Sequence, residues 1–126
     1  MLKDSPAFSG FSVNDTQKAK QFYEEVLGVP VEESPMGLTL KLKTMDVFIY
    51  LKEDHTPASF TILNFPVNDI DQMFDGLRSK GVIFEKYDNM HQDEKGITRG
   101  RSANMGPDIA WFKDPAGNIL SILQDT

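Results

Sequence analysis

The side chains in this chain with chemistry to offer are few. There are two histidines, one tryptophan and no cysteine. His91 stands in the run Asp88-Asn89-Met90-His91-Gln92-Asp93-Glu94-Lys95. That run is dense in groups that donate, accept or move a proton, so His91 and Glu94 are candidates for general acid and base work. The alternative is a solvated loop histidine, and the same alternative holds for His55. Arg99 and Arg101 follow in the same stretch. Their guanidinium forks suit a carboxylate or phosphate clamp, or they serve as solubilising charges. Trp111 offers a flat apolar surface for stacking on a planar ligand, or a core side chain. Tyr50 brings a hydroxyl on an expected strand, as a hydrogen-bond donor or weak acid. No Ser-His-Asp ordering stands out, and Ser102 and Ser121 carry no motif around them.

The elements that must position these groups come in two similar sets. Phe11-Ser12-Val13-Asn14-Asp15 opens a helix that closes at Leu27-Gly28-Val29. Phe65-Pro66-Val67-Asn68-Asp69 opens another that closes at Lys80-Gly81-Val82. Phe11 and Phe65 are 54 positions apart, as are Asp15 and Asp69, and Gly28 and Gly81 are 53 apart. A strand-to-helix corner repeated at near-constant spacing signals two copies of one supersecondary unit.

In the first copy, Phe8 to Val13 is an apolar strand. Asn14 or Asp15 caps the helix. Ala19, Phe22, Tyr23, Val26 and Leu27 fall on one helical face. Strands are expected from Pro30, over 38–43 and over 47–51. In the second copy, strands are expected over 59–67, 82–87, 108–113 and 119–123. Ile70, Met73, Phe74 and Leu77 form its helix face. Residues 88–107 are a polar, glycine-containing stretch of the length usually reserved for functional or mobile loops. Both copies read β-α-β-β-β.

Composition narrows the function. The net charge of −6 and pI near 4.8 argue against nucleic acid and against an anionic membrane surface. No window approaches the apolar length of a membrane span, and the first residues lack an apolar leader core. The absence of cysteine fits a reducing compartment. The expectation is a soluble cytoplasmic protein.

The corner Val13-Asn14-Asp15 with Ala19, Phe22-Tyr23 and Leu27-Gly28, the second corner Val67-Asn68-Asp69, and the run Trp111-Phe112-Lys113-Asp114-Pro115-Ala116-Gly117-Asn118 together resemble the vicinal oxygen chelate superfamily. That superfamily includes glyoxalase I, bleomycin- and fosfomycin-resistance proteins and extradiol dioxygenases. The resemblance covers nearly the whole chain. It implies an α+β fold of two tandem βαβββ modules, 7–52 and 59–124, joined by a linker over 53–58. The two make one domain over 1–126, with curled mixed sheets around a cleft that holds the ligand. It also implies a homodimer.

Metal-dependent members of such families carry His, Gln or Glu on the first and last strand of each module. The resemblance puts those positions on Phe8, Ile62, Ser121 and either Ile49 or Tyr50. Phe and Ile have no donor atom and a lone hydroxyl is a poor ligand, so no metal and no cofactor are expected. Metal-dependent lactoylglutathione lyase and dioxygenase chemistry lose their Lewis acid. Phe8, Tyr50, Ile62, Arg99, Trp111 and Ser121 are the expected ligand-binding residues, with His91, Glu94 and Tyr50 as candidate catalytic ones. Three readings stay open. The chain binds a small hydrophobic or aromatic molecule without chemistry, or it is a metal-independent lyase or isomerase, or it is a dimeric interaction module.

Overall fold

Both helices start where a side chain caps them. The computed structural model describes residues 1–126, and in it Asp15 and Asp69 hold extended backbone just ahead of the two helices. The Asp15 carboxylate accepts from Lys18 N at 3.1 Å and that of Asp69 from Gln72 N at 3.0 Å. Each pairing satisfies an amide that the first helical turn leaves without a carbonyl.

The chain divides into two compact units, Met1–Thr56 and Pro57–Thr126. The first holds strand β1 (Ser9–Val13), helix α1 (Thr16–Gln21), and strands β2 (Val31–Ser34), β3 (Gly37–Lys41) and β4 (Asp46–Leu51). Residues Phe22–Val26 extend α1 by one wider turn. There Leu27 N reaches Phe22 O at 3.0 Å, and Gly28 takes a φ of +72° that favours glycine and ends the helix. The sheet runs β1-β4-β3-β2, with β1 and β4 parallel. Val13, Leu38, Leu40, Val47 and Ile49 are buried together with Ala19 and Tyr23 of the helix.

The second unit holds β5 (Thr61–Pro66), α2 (Ile70–Ser79), β6 (Thr98–Arg99), β7 (Asp108–Lys113) and β8 (Ile119–Gln124). Its sheet runs β5-β8-β7-β6, with β5 and β8 parallel. Ile70, Phe74 and Leu77 bury the inner stripe of α2 with Ala110, Phe112, Leu120 and Ile122. Met73, expected on that stripe, lies at its edge and is partly exposed. The Gln124 side chain accepts from Ile70 N at 2.9 Å and so ties β8 to the start of α2. The architecture is α+β, two tandem modules of one helix and a four-stranded mixed sheet each.

One expected strand is absent. Residues 82–87 make only a single bridge, Phe84 to Phe112, and the third element of the second sheet is the short β6 instead. The reason is a side chain. Gln92 Oε1 accepts from Tyr87 N at 2.6 Å, while its Nε2 donates to Glu85 O at 3.0 Å and Gly96 O at 2.6 Å. The backbone groups a ladder would need are thereby taken. Ile97 is fully buried, so the 88–107 stretch is anchored at its centre.

Candidate functional site

Each sheet has one face packed on its helix and one that is not. In the second module, Ala110 and Phe112 of β7 point to the helix side, so by alternation Trp111 stands on the other face. Trp111 pairs in register with Ser121, and Ser121 pairs with Asn64 on the far side. Ser121 Oγ donates to Asn64 Oδ1 at 2.5 Å and is itself fully buried. The indole Nε1 of Trp111 donates to Thr61 Oγ1 at 3.1 Å, which fixes the ring plane. Tyr87 meets that ring edge to face, with centroids 5.6 Å apart.

Ile62 lies at a bulge in β5. Thr61 pairs with Ile119 and Leu63 with Leu120, so two residues on one strand advance against one on the other. Thr61 and Asn64, three apart, therefore both reach the Trp111 face, and Ile62 is half-buried between them.

A hollow of about 360 Å³ opens over this face, walled by Phe60, Thr61, Tyr87, Met90 and Trp111. It is large enough for a small ligand. Phe60 is 68% exposed although it is a large apolar ring. The Tyr87 hydroxyl is buried and has no hydrogen-bond partner. Burial, reinforced by the Glu85 carboxylate, raises the Tyr87 pKa and keeps the phenol protonated as a donor. None of the side chains lining this hollow is charged.

His91 is exposed, in a left-handed conformation with φ of +48°, and Glu94 is exposed nearby. Neither lines the hollow. Arg99 points elsewhere. Its Nη1 and Nη2 bond the two oxygens of Asp71 at 3.0 and 2.7 Å, and its Nε bonds Asp93 at 2.9 Å. Lys95 reaches Asp71 at 3.2 Å and Asp75 at 3.1 Å. Arg101 is held by Asp108 through its backbone N at 3.0 Å and Nη1 at 3.4 Å. These arginines moor the long loop to α2 and β7, and their donors are largely committed.

In the first module, Ile49 is fully buried on the helix side, whereas Tyr50 is 40% exposed on the other face. Of the two, Tyr50 is the residue on the helix-free face. Tyr50 stacks on Phe48 with centroids 6.2 Å apart. Phe8 precedes β1, is 68% exposed, and lines a second hollow with Met36, Thr39, Asp46 and Phe48. Ser12 pairs in register with Tyr50, and its Oγ lies 2.6 Å from Nδ1 of His55.

The residues at the superfamily's metal positions do not fit an ion. Phe8 and Ile62 carry no donor atom, the Ser121 hydroxyl is spent on Asn64, and a phenol at Tyr50 is left alone. No group of three or more His, Asp or Glu side chains is placed to hold a metal.

Phe60, Thr61, Asn64, Tyr87 and Met90 were not legible as site residues beforehand. Thr61 and Asn64 depend on the bulge, and Tyr87 and Met90 come from the irregular stretch that Gln92 organises. Phe60 falls inside the strand expected over 59–67, whereas the strand begins at Thr61 and leaves the ring exposed.

Residues 8–122 match the profile of the Glyoxalase/Bleomycin resistance protein/Dioxygenase superfamily. A protein of Bacillus subtilis (strain 168), the uncharacterized protein YraH, is 28% identical over 127 residues, covering 87% of this chain and 90% of that protein. A glyoxalase family protein from Bacillus anthracis superposes with a TM-score of 0.72 at 17% identity, over 94% of this chain and 93% of the other. TnmS3, an antibiotic binding protein from Streptomyces sp. CB03234, superposes with a TM-score of 0.63 at 23% identity, over 95% and 96%. With the profile spanning both modules, the chain belongs to the Glyoxalase/Bleomycin resistance protein/Dioxygenase superfamily.

Proposed function

We propose that this protein binds a small, uncharged, planar molecule on the helix-free face of its second sheet, stacked against Trp111, and does so without chemistry. The observation that carries this reading is the Tyr87 hydroxyl, buried and without a partner beside a hollow walled by aromatic side chains. A buried hydroxyl that has given up water is costly until it finds an acceptor. A carbonyl, ether or ring nitrogen on the ligand supplies one. The uncharged lining selects a neutral ligand, since a buried charge there has no counterion. Stacking on Trp111 and Phe60 suits a flat ring system. The fold is shared with a protein described as antibiotic-binding, which is consistent with binding at this site without chemistry.

The test uses the sole tryptophan as reporter. The protein is titrated with a panel of planar neutral aromatics, with and without a hydrogen-bond acceptor, followed by Trp111 fluorescence and by calorimetry. Saturable binding is expected for acceptor-bearing members, and Tyr87→Phe weakens it by roughly tenfold, the worth of one hydrogen bond. If no member saturates either signal, the reading fails. The same reading has the protein act as a cytoplasmic homodimer, and light scattering on purified protein measures the assembly directly.

A further inference from the structure

We infer that Ser12 and His55 form a nucleophile and base pair that transfers small apolar acyl groups. The two side chains are 43 residues apart in sequence, and the fold brings Ser12 Oγ to 2.6 Å from His55 Nδ1. The approach is built by the turn after β4. Lys52 N donates to Val13 O at 2.9 Å and His55 N to Lys52 O at 3.0 Å, which folds the chain back over the end of β1. His55 is thereby half-buried above a strand, not left in a free linker. With its ring proton on Nε2, His55 accepts the Ser12 hydroxyl proton, the geometry that activates a serine.

The surroundings suit an acyl substrate. Ser12 lies on the face of the first sheet that the helix does not cover, because Phe11 and Val13 flank it toward the core side. Two residues earlier on the same face stands Gly10, opposite Phe48 and without a side chain of its own. Tyr50 is the register partner of Ser12 and places a hydroxyl-bearing ring alongside it. The Phe48–Tyr50 stack supplies an apolar wall. The apolar stack favours aryl or alkyl esters.

The reaction balances without a metal or cofactor. Ser12 Oγ bonds to the ester carbonyl carbon while its proton passes to His55 Nδ1. The ester C–O bond to the leaving alcohol breaks, and that oxygen takes the proton from His55. Water then gives a proton to His55 and its hydroxide to the acyl carbon, and Ser12 leaves as the alcohol. Tyr50 is the donor that faces the oxyanion of the tetrahedral species.

Both residues of this pair belong to the first module. The test incubates the full chain with an alkyl fluorophosphonate, which phosphorylates an activated serine and releases fluoride, and locates the adduct by peptide mass spectrometry. The expected result is modification at Ser12, faster than at the exposed Ser102 of the same molecule. His55→Ala is expected to slow it by about a hundredfold or more, and Tyr50→Phe by about a hundredfold. p-Nitrophenyl acetate is then expected to give a burst of nitrophenolate that Ser12→Ala abolishes. Wild-type protein in which Ser12 reacts no faster than Ser102 overturns the inference by itself, whatever the variants do. So does a His55→Ala variant with a native circular dichroism spectrum and an unchanged rate.

Discussion

The Arg99 guanidinium bonds the Asp71 carboxylate at both ends, at 3.0 and 2.7 Å, and so joins β6 to the first turn of α2 across 28 positions of sequence. A fork-to-fork pair is stronger than a point contact, and the third bond to Asp93 leaves little of the cation unmet. Arg99→Ala is expected to cost about 1–3 kcal/mol, the range for hydrogen bonds to charged groups. Arg99→Lys should recover less than half of that, because an ammonium cannot make the paired bonds. Urea midpoints measure both. A loss under about 0.5 kcal/mol for Arg99→Ala would mean that water replaces the pair without cost.

The same pair predicts an acid limb of stability. The hydrogen bond from Arg99 holds the Asp71 carboxyl at about 2, against an ordinary 3.8. A pKa lowered on folding adds stability that is full above the unfolded value and is lost as pH falls through the folded one. The wild-type urea midpoint is therefore expected to drop between about pH 4 and pH 2, and Asp71→Asn to flatten that segment of the curve. Equal slopes in the two proteins would show that other carboxylates govern it.

Tyr87→Phe removes a buried hydroxyl that has no partner. Deleting such a group is expected to raise stability by about 0.5–1 kcal/mol, while weakening the ligand as argued above. Chemical denaturation of the ligand-free protein reads the first effect cleanly. A loss of stability instead would reveal a hydrogen bond that the folded protein makes to this oxygen.

Gln92→Ala takes away three hydrogen bonds at once, to Tyr87 N, Glu85 O and Gly96 O. The expected cost is about 1–3 kcal/mol, confined to the segment around 85–97. Hydrogen exchange should show the Tyr87 amide losing protection while the amides of β7 and β8 keep theirs. Uniform loss across the second module would assign Gln92 a global role.

Features set by neighbours in sequence were legible in advance, and features set across distance were not. The caps at Asp15 and Asp69 reach three residues. The turn at Asp114, whose carboxylate accepts from Ala116 N and Asn118 N at 2.9 Å each, reaches four. Such contacts follow from residue type and offset alone. By contrast, 82–87 has the alternation of a strand, and a glutamine five residues beyond Tyr87 overrides it. Arg99 looks free in sequence because Asp71 is remote from it. Ser12 with His55, and Trp111 with Thr61 at a separation of 50, carry no local mark. The repeat reveals two modules, yet the side chains that matter in each are chosen by pairings the repeat does not encode.

The bulge in β5 has a consequence for how the two modules compare. In β1, residues alternate without interruption, so counting back from the corner keeps its phase. In β5 the extra residue acts like a frameshift in the pleat. Upstream of it, every position changes the side of the sheet that it faces, and Thr61 stands where an uninterrupted count would bring Ile62. Straightening the strand without losing a residue would bring Ile62 to the indole and turn Thr61 away from it. The two halves of the repeat thus share a sequence rhythm but are set half a beat apart, and that offset brings Thr61 to the indole.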